Sequence, residues 1–176
     1  TGLAYQADWT ATEHVPERAI TNGEIVRYGA LSANDGGKTH RYSLAGDWAK
    51  SDAQGASKLS LYVIDYGLNL FSAPSGYING AQGDQHEQAD ERTVWGGQAS
   101  RSWFLGPNWK YTELTAGLQL RHDRISSVGL YNTEDRRRTN TVREDRINET
   151  AIAAFFEART QWTTWLRTNL GLRRDQ

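Results

Sequence analysis

The chain has 176 residues, which is about one domain of ordinary size. It contains no Cys, so it has no disulfide framework, no thiolate metal ligand and no Cys nucleophile. Lys and Arg number 20 against 21 Asp and Glu, and this balance argues against a nucleic-acid binder, which carries a basic excess. The longest uninterrupted apolar run, residues 151–156, is far shorter than the roughly 20 residues of a membrane-spanning helix.

Apolar and polar residues alternate with a period of two along most of the chain, as in LTAGLQLR at 114–121. Such alternation is typical of strands with one apolar and one polar face. It predicts an all-β antiparallel meander of about seven strands, at 3–12, 39–51, 58–72, 91–105, 111–125, 149–162 and 166–175. Helix remains an alternative for 149–159, because Ala and Glu are good helix formers.

The predicted connections alternate in length along the chain. They run over 13–38, 52–57, 73–90, 106–110, 126–148 and 163–165, so every second connection is long. Outer-membrane barrels have short periplasmic turns and longer extracellular loops. The predicted strands also reach the roughly 9–11 residues that cross a bilayer, so the pattern favours a transmembrane barrel.

Aromatic residues gather near the predicted connections. Those beside short connections are Trp48, Tyr62, Trp103, Trp109, Tyr111, Trp162 and Trp165, and those near long ones are Tyr42, Phe71, Trp95 and Tyr131. Amphipathic rings prefer the two boundaries of a membrane, so this placement predicts two girdles. The alternative is that the rings fill the core of a soluble protein.

Strand parity gives two further predictions. Trp162 and Leu166 share parity, so a connection at 163–165 should place Gln161 opposite Arg167 and Arg159 opposite Asn169. Arg101 and His122 fall on the apolar parity. The charge of Arg101 then requires either a bulge that shifts the register or a position close to the periplasmic boundary of the membrane, where the short turns lie. His122 should lie near the outer boundary of the membrane.

The ordered segments LYVIDYGLNLFS (61–72), DERTVWGGQASRSWF (90–104), AGLQLRHDRI (116–125), VGLYNTEDRRRTNTVREDRINETAIAAFFE (128–157) and WTTWLRTNLGLRRD (162–175) carry a resemblance. Together they resemble the barrel of TonB-dependent outer-membrane receptors, especially the siderophore-receptor type. Receptors of this type have a 22-stranded barrel closed by an N-terminal plug, and they import scarce ligands with energy from the TonB complex. The chain has no Met and an odd number of predicted strands, so we expect residues 1–176 to be an arc of such a barrel.

The resemblance implies a location in the bacterial outer membrane and no enzymatic activity, cofactor or bound metal. The implied partners are a ferric siderophore or similar small ligand, outer-membrane lipid and lipopolysaccharide. The TonB complex would act through an N-terminal region that lies outside this sequence. The plug and both ends of the barrel would also lie outside it. Nucleic acid is not an expected partner.

Two sets of residues are candidates for a site. The polar-parity set, expected to face the lumen and plug or to line a ligand path, is Asp47, Asp65, Asn69, Gln119, Arg121, Asp123, Glu157, Arg159, Gln161, Arg167 and Arg173. The predicted loop 126–148 supplies Arg136, Arg137, Arg138, Arg143 and Arg146, which could bind an anionic ligand by forked hydrogen bonds or form local ion pairs.

Other functions stay open at this point. Asp84, His86, Glu87 and Asp90 have the chemistry of metal ligands, but their spacing matches no tight motif. A passive porin would share the girdles and the loop alternation. A soluble β-barrel carrier would place the apolar residues inside, and an outer-membrane enzyme would need a catalytic arrangement that the spacing does not supply.

Overall fold

A computed structural model describes residues 1–30, 32–73, 84–107 and 110–176 of the chain. Its strands are β1 (Gly2–Thr10), β2 (Gly36–Asp52), β3 (Gly55–Ser72), β4 (His86–Leu105), β5 (Thr112–Glu134), β6 (Arg137–Gln161) and β7 (Arg167–Asp175). They form one antiparallel sheet in sequence order, so the predicted all-β meander of seven strands is confirmed. The sheet is open, with β1 and β7 at its edges. One short helix, α1 (Glu17–Thr21), precedes β2, and the described part of the chain holds no helix long and apolar enough to cross a membrane.

The pairing of β6 with β7 follows the predicted register. Arg159 lies opposite Asn169, and Gln161 lies opposite Arg167. The amide of Trp162 donates to the carbonyl of Leu166 at 3.0 Å, which closes the turn between these strands. Residues 149–159 are therefore strand and not helix.

The prediction of a long loop at 126–148 is wrong. β5 continues to Glu134 and β6 begins at Arg137, so only Asp135 and Arg136 connect them. Both connecting residues have positive φ, 49° and 62°, as in the two-residue turns that suit the twist of a hairpin. The pairing of β5 with β6 in this long hairpin contains three register shifts between Ile125 and Thr133. The third long connection is thus a two-residue turn at the end of a projecting hairpin.

The register sorts the strand residues into two faces, because directly opposed residues of a sheet point to the same side. One side, called here the apolar face, carries an apolar band across six strands, which Arg101 interrupts on β4. The band consists of Tyr42, Leu44 and Trp48 on β2, Leu59, Leu61 and Val63 on β3, Trp95, Ala99 and Trp103 on β4, Leu114, Ala116, Leu118 and Leu120 on β5, Ile152, Ala154, Phe156 and Ala158 on β6, and Leu170 and Leu172 on β7. The other side, called the polar face, carries residues such as Asp47, Gln119 and Arg173.

The apolar face is the more exposed of the two. Leu44 is 64% exposed and Leu118 is 60% exposed, both in the middle of the band. Val94 and Asp123 oppose each other on the polar face and are only 6% and 7% exposed. A soluble protein has the reverse arrangement, since apolar surface left in water is unfavourable.

The band runs obliquely to the strands. On β2 it is centred near position 45, and on β7 near position 171, which is level with position 51 of β2 through the successive pairings. This is a drift of about six residues over five strand steps. With a rise of about 3.3 Å per residue and strands about 4.8 Å apart, the drift corresponds to strands tilted by about 40° from the perpendicular to the band.

The register corrects the assignment of β3. The sequence predicts Asp65 and Asn69 on the polar face, but Asp65 lies opposite Tyr42 and Asn69 lies opposite Lys38, so both are on the side of the apolar face. They lie beyond the apolar band, toward the end of β3. The alternation of β3 does not fix its face, because residues 61–64 are apolar at both parities.

The same register shows that the prediction of Tyr62 as a girdle residue is wrong. Tyr62 lies on the polar face, opposite Ala45 and Gly96, and in the middle of β3. Trp109, also predicted there, lies outside the described residues, as do positions 74–83 of the second long connection.

Gly36 gives a test of the β1–β2 pairing. Its φ is 131°, and a Cβ built on it would lie 2.1 Å from the carbonyl oxygen of Trp9. We expect Gly36→Ala to release β1 and to cost about 2–3 kcal/mol, seen as faster hydrogen exchange over 2–10. Gly46→Ala is the matched control on the same strand, because a Cβ there meets nothing within 4 Å. Equal exchange in the two variants would contradict this account.

Candidate functional site

A hydrogen-bonded ladder crosses the polar face. Gln119 Nε2 donates to Gln98 Oε1 at 2.7 Å, and Arg173 Nη1 donates to Gln119 Oε1 at 2.6 Å. To reach Gln119, the Arg173 side chain crosses β6, where the residue opposite Gln119 is the small Ala153, which is 5% exposed. The ladder therefore joins β4, β5 and β7 and holds two amides and a guanidinium in fixed positions.

Four of the eight ion pairs among the described residues are formed within one strand. The pairs are Arg92–Asp90, Arg121–Asp123, Arg143–Asp145 and Arg173–Asp175. Residues two apart on a strand share a face, so each pair needs no neighbouring strand. Of the ion pairs that join different strands, the pair on the polar face is Arg159–Glu113, at 3.3 Å.

Nine of the eleven predicted lumen residues lie together on the polar face; Asp65 and Asn69 do not. Asp47 accepts from Ser60 Oγ at 2.6 Å. Gln161 Nε2 donates to the carbonyl of Leu166 at 3.3 Å, within the β6–β7 turn. The side chains of Glu157 and Arg167 have no hydrogen-bond or ion-pair partner within the described ranges.

Arg101 lies on the apolar face without a register shift beside it. Its Nη1 donates to Ser57 Oγ at 2.9 Å, and its Nη2 lies 3.9 Å from Asp52 in the β2–β3 turn. Of the two explanations for this charge, the structure supports a position close to the short-turn end. His122 lies on the apolar face as predicted, with Nδ1 at 2.7 Å from Thr150 Oγ1.

The opposite end of the sheet is organised around the buried side chain of Gln85, which is 7% exposed. Its Oε1 accepts from Thr133 Oγ1 at 3.1 Å and from the backbone N of Arg136 at 2.9 Å. Its Nε2 donates to the carbonyl of Asn34 at 3.3 Å and to Asp35 Oδ1 at 3.1 Å. Every hydrogen-bonding position of this amide is occupied. These five residues are called the tip cluster.

Arg136 ties the hairpin turn to the segment before β2. Its Nε donates to the carbonyl of Asn34 at 2.7 Å, and its guanidinium lies 5.2 Å from the ring centroid of Phe71. Asn34 Nδ2 donates in turn to Asp135 Oδ1 at 2.7 Å. The tip cluster thus connects the β5–β6 turn with both long connections.

Glu87 forms a second anchor beside the tip cluster and is 3% exposed. Arg138 donates to it twice, at 2.6 and 3.0 Å, and Asn69 Nδ2 donates at 2.6 Å. The Arg138 guanidinium also lies 3.6 Å from the ring centroid of the buried Tyr131. Burial opposes the charged form of Glu87, but the hydrogen bonds from Arg138 and Asn69 outweigh it and lower the pKa of Glu87.

The five arginines predicted as ligand contacts do not form one cluster in a loop. Arg136 and Arg138 are bound by groups from distant parts of the chain, and Arg143 pairs with an aspartate two residues further along. Arg137 and Arg146 are exposed and have no side-chain partner within the described residues. Contacts within the chain therefore occupy three of the five arginines, and only Arg143 is held by a local ion pair.

The four candidate metal ligands at 84–90 do not converge. Glu87 is bound by Arg138, and His86 Nδ1 lies 3.0 Å from Asn132 Oδ1. Among the residues that the structure describes, no group of three or more His, Asp or Glu side chains is arranged to hold a metal ion.

Sequence reasoning missed the tip cluster. Asn34, Asp35 and Gln85 lie in connections that show no periodicity, and their partners come from positions up to 102 residues away. The only local signal is that polar residues directly precede β2 and β4. Comparison with protein-family models, with curated proteins and with solved structures finds no match to this chain.

Proposed function

We propose that this chain is a section of the barrel wall of a TonB-dependent receptor in the bacterial outer membrane. The proposed receptor binds a scarce ligand, a ferric siderophore, and imports it with energy from the TonB complex. Its action is reversible binding and transport rather than covalent chemistry.

The exposed apolar band is the observation that carries this proposal. It extends over six successive strands and lies on the more exposed side of the sheet. Lipid is the solvent that such a band fits, and the polar face would then line the lumen. A soluble carrier requires the opposite arrangement, with the apolar residues on the sheltered side.

The tilt of about 40° adds independent support, because strands of outer-membrane barrels are tilted by about 35–45°. The open edges also fit an arc, since an exposed sheet edge is not tolerated in a bilayer. A passive porin would share these features. The resemblance of 61–72, 90–104 and 116–175 to siderophore receptors favours the receptor over the porin.

Refolding the chain with and without a mild detergent tests the membrane assignment. We expect β circular dichroism and a monodisperse sedimenting species with detergent, and aggregation in plain buffer, because the apolar band needs an apolar solvent. A monomeric β protein in plain buffer would overturn the assignment and favour a soluble carrier.

Uptake of ⁵⁵Fe-labelled siderophore by iron-limited cells that produce the full-length protein separates receptor from porin. The proposal expects saturable uptake that is lost when TonB is deleted. Uptake that persists without TonB and rises linearly with concentration would overturn the receptor in favour of a porin.

A further inference from the structure

The polar face has a second feature between the ladder and the tip cluster, a depression of about 630 Å³. Its lining includes Arg41, Tyr62, Tyr66, Arg92 and Arg121, which come from four successive strands. The register places Arg41, Tyr66 and Arg92 in one row across β2, β3 and β4. Tyr62 and Arg121 lie on either side of Gly96, two rows further along the same face, beyond the row of Ile64 and Val94.

Two of the three arginines are already neutralised. Arg92 and Arg121 each direct Nε and one amino group at the aspartate two residues away, Asp90 and Asp123. These bonds fix both guanidinium groups at the rim of the depression. They also leave one further amino group of each without an acceptor among the described residues.

Arg41 differs from its neighbours because it has no acid. It is exposed and forms no hydrogen bond or ion pair within the described part of the chain. The hydroxyl groups of Tyr62 and Tyr66 likewise have no hydrogen-bond partner there. The depression therefore holds unused N–H and O–H donors, and Arg41 is the one guanidinium of its lining that no carboxylate of the described residues binds.

We infer that this depression binds a small organic ligand through a carboxylate group held by Arg41. A guanidinium matches a carboxylate with two parallel hydrogen bonds, and the tyrosine hydroxyls supply further donors. The tyrosine rings offer apolar surface to the rest of the ligand. A single guanidinium without an acid matches a carboxylate better than a phosphate, which carries about −1.5 to −2.

The inference rests on the proposed function, since it assigns a ligand site to the face proposed to line the lumen. It is tested on the full chain in detergent, with benzoate as the probe and binding measured by titration calorimetry. Arg41→Gln should weaken benzoate binding about tenfold, because a charge-assisted pair is lost. Tyr66→Phe, which removes only a hydroxyl, should weaken it about threefold.

Arg167→Gln is the matched control. Arg167 is also an exposed arginine of the polar face without a partner among the described residues, but it lies on β7 outside the depression. Its replacement should change the affinity less than about twofold if the site is local. Equal losses in Arg41→Gln and Arg167→Gln, no loss in Arg41→Gln, or tighter binding of inorganic phosphate than of benzoate would overturn the inference.

Failure of the carboxylate site can be distinguished from failure of the membrane assignment. Detergent-dependent β structure with unchanged benzoate binding in Arg41→Gln would remove the site and leave the membrane assignment intact. A β monomer in plain buffer would remove the membrane assignment whatever the benzoate titration gives. Circular dichroism of each variant confirms that its sheet has formed, and Tyr66→Phe keeps the inference testable if Arg41→Gln fails to fold.

Discussion

Gln85→Glu is expected to open the end of the sheet that carries the tip cluster, with a local loss of about 3–5 kcal/mol. The two side chains have the same size, so the effect comes from the hydrogen bonds alone. Nε2 of Gln85 donates to the Asn34 carbonyl and to the Asp35 carboxylate. A carboxylate oxygen at that place would face two acceptors, one of them charged, in a site that is 7% exposed.

Hydrogen exchange measured by mass spectrometry resolves this effect. Peptides over 32–36, 84–88 and 131–138 should exchange faster in Gln85→Glu, whereas the centre of the sheet should keep its protection. Faster exchange confined to 84–88 would contradict the account, because the amide bridges three segments.

Gln98→Glu is the matched control for the same substitution. The Gln98 side chain is exposed, and its Oε1 accepts from Gln119. A carboxylate keeps that acceptor role. The variant should therefore change the free energy of unfolding by less than about 0.5 kcal/mol.

The sequence predicts the strands well where apolar residues alternate. Along 114–120 and 166–172 the period of two is clear, and the register of β6 against β7 follows from the parity of Trp162 and Leu166. One face is apolar in these strands, so a one-residue slip would move every side chain to the wrong side. The pattern therefore specifies both the strand and its pairing.

Prediction fails where the pattern carries no such information. Residues 136–146 are almost entirely polar, and only Val142 interrupts them, so the segment resembles a solvated loop. In the structure the strand follows a left-handed turn at Asp135 and Arg136, and Arg138 binds Glu87, 51 positions away. The turn residues are Asp and Arg, and the usual sequence signals for such a hairpin, Asn-Gly and Asp-Gly, require Gly where this chain has Arg136.

Asp65 shows a different failure. It follows the apolar stretch 61–64, where both parities look buried, and a charge there invites assignment to the polar face. Its partner is His40 on β2, whose Nε2 lies 3.1 Å from Asp65 Oδ1. Both residues lie outside the apolar band, on the side of the long connections. The faces of a strand can be assigned from its sequence only where the two parities differ.

Arg138→Ala is expected to lower the stability of the β5–β6 hairpin by about 3–5 kcal/mol at pH 7, because it leaves the buried Glu87 charge without its cation. The Arg138 side chain is 45% exposed and that of Glu87 only 5%, so the loss falls on Glu87. Glu87→Gln is the matched control, since it removes the charge and leaves Arg138 able to reach water. It should cost about 1–2 kcal/mol, and the double variant should recover part of the loss in Arg138→Ala.

The pH dependence separates this charge effect from lost packing on Tyr131. In the unmodified chain the pKa of Glu87 is lowered, so its stabilisation is complete above its ordinary value of 4.5 and is lost as pH falls through the lower, folded-state value. In Arg138→Ala burial acts on Glu87 without this cation, which raises the pKa, and protonation then relieves the buried charge as pH falls. The difference in stability between the two proteins should therefore be largest at pH 7 and clearly smaller at pH 4, as measured by hydrogen exchange over 131–138 corrected for intrinsic rates. An equal difference at both pH values would assign the loss to packing, because the contact of Arg138 with the Tyr131 ring does not depend on the charge of Glu87.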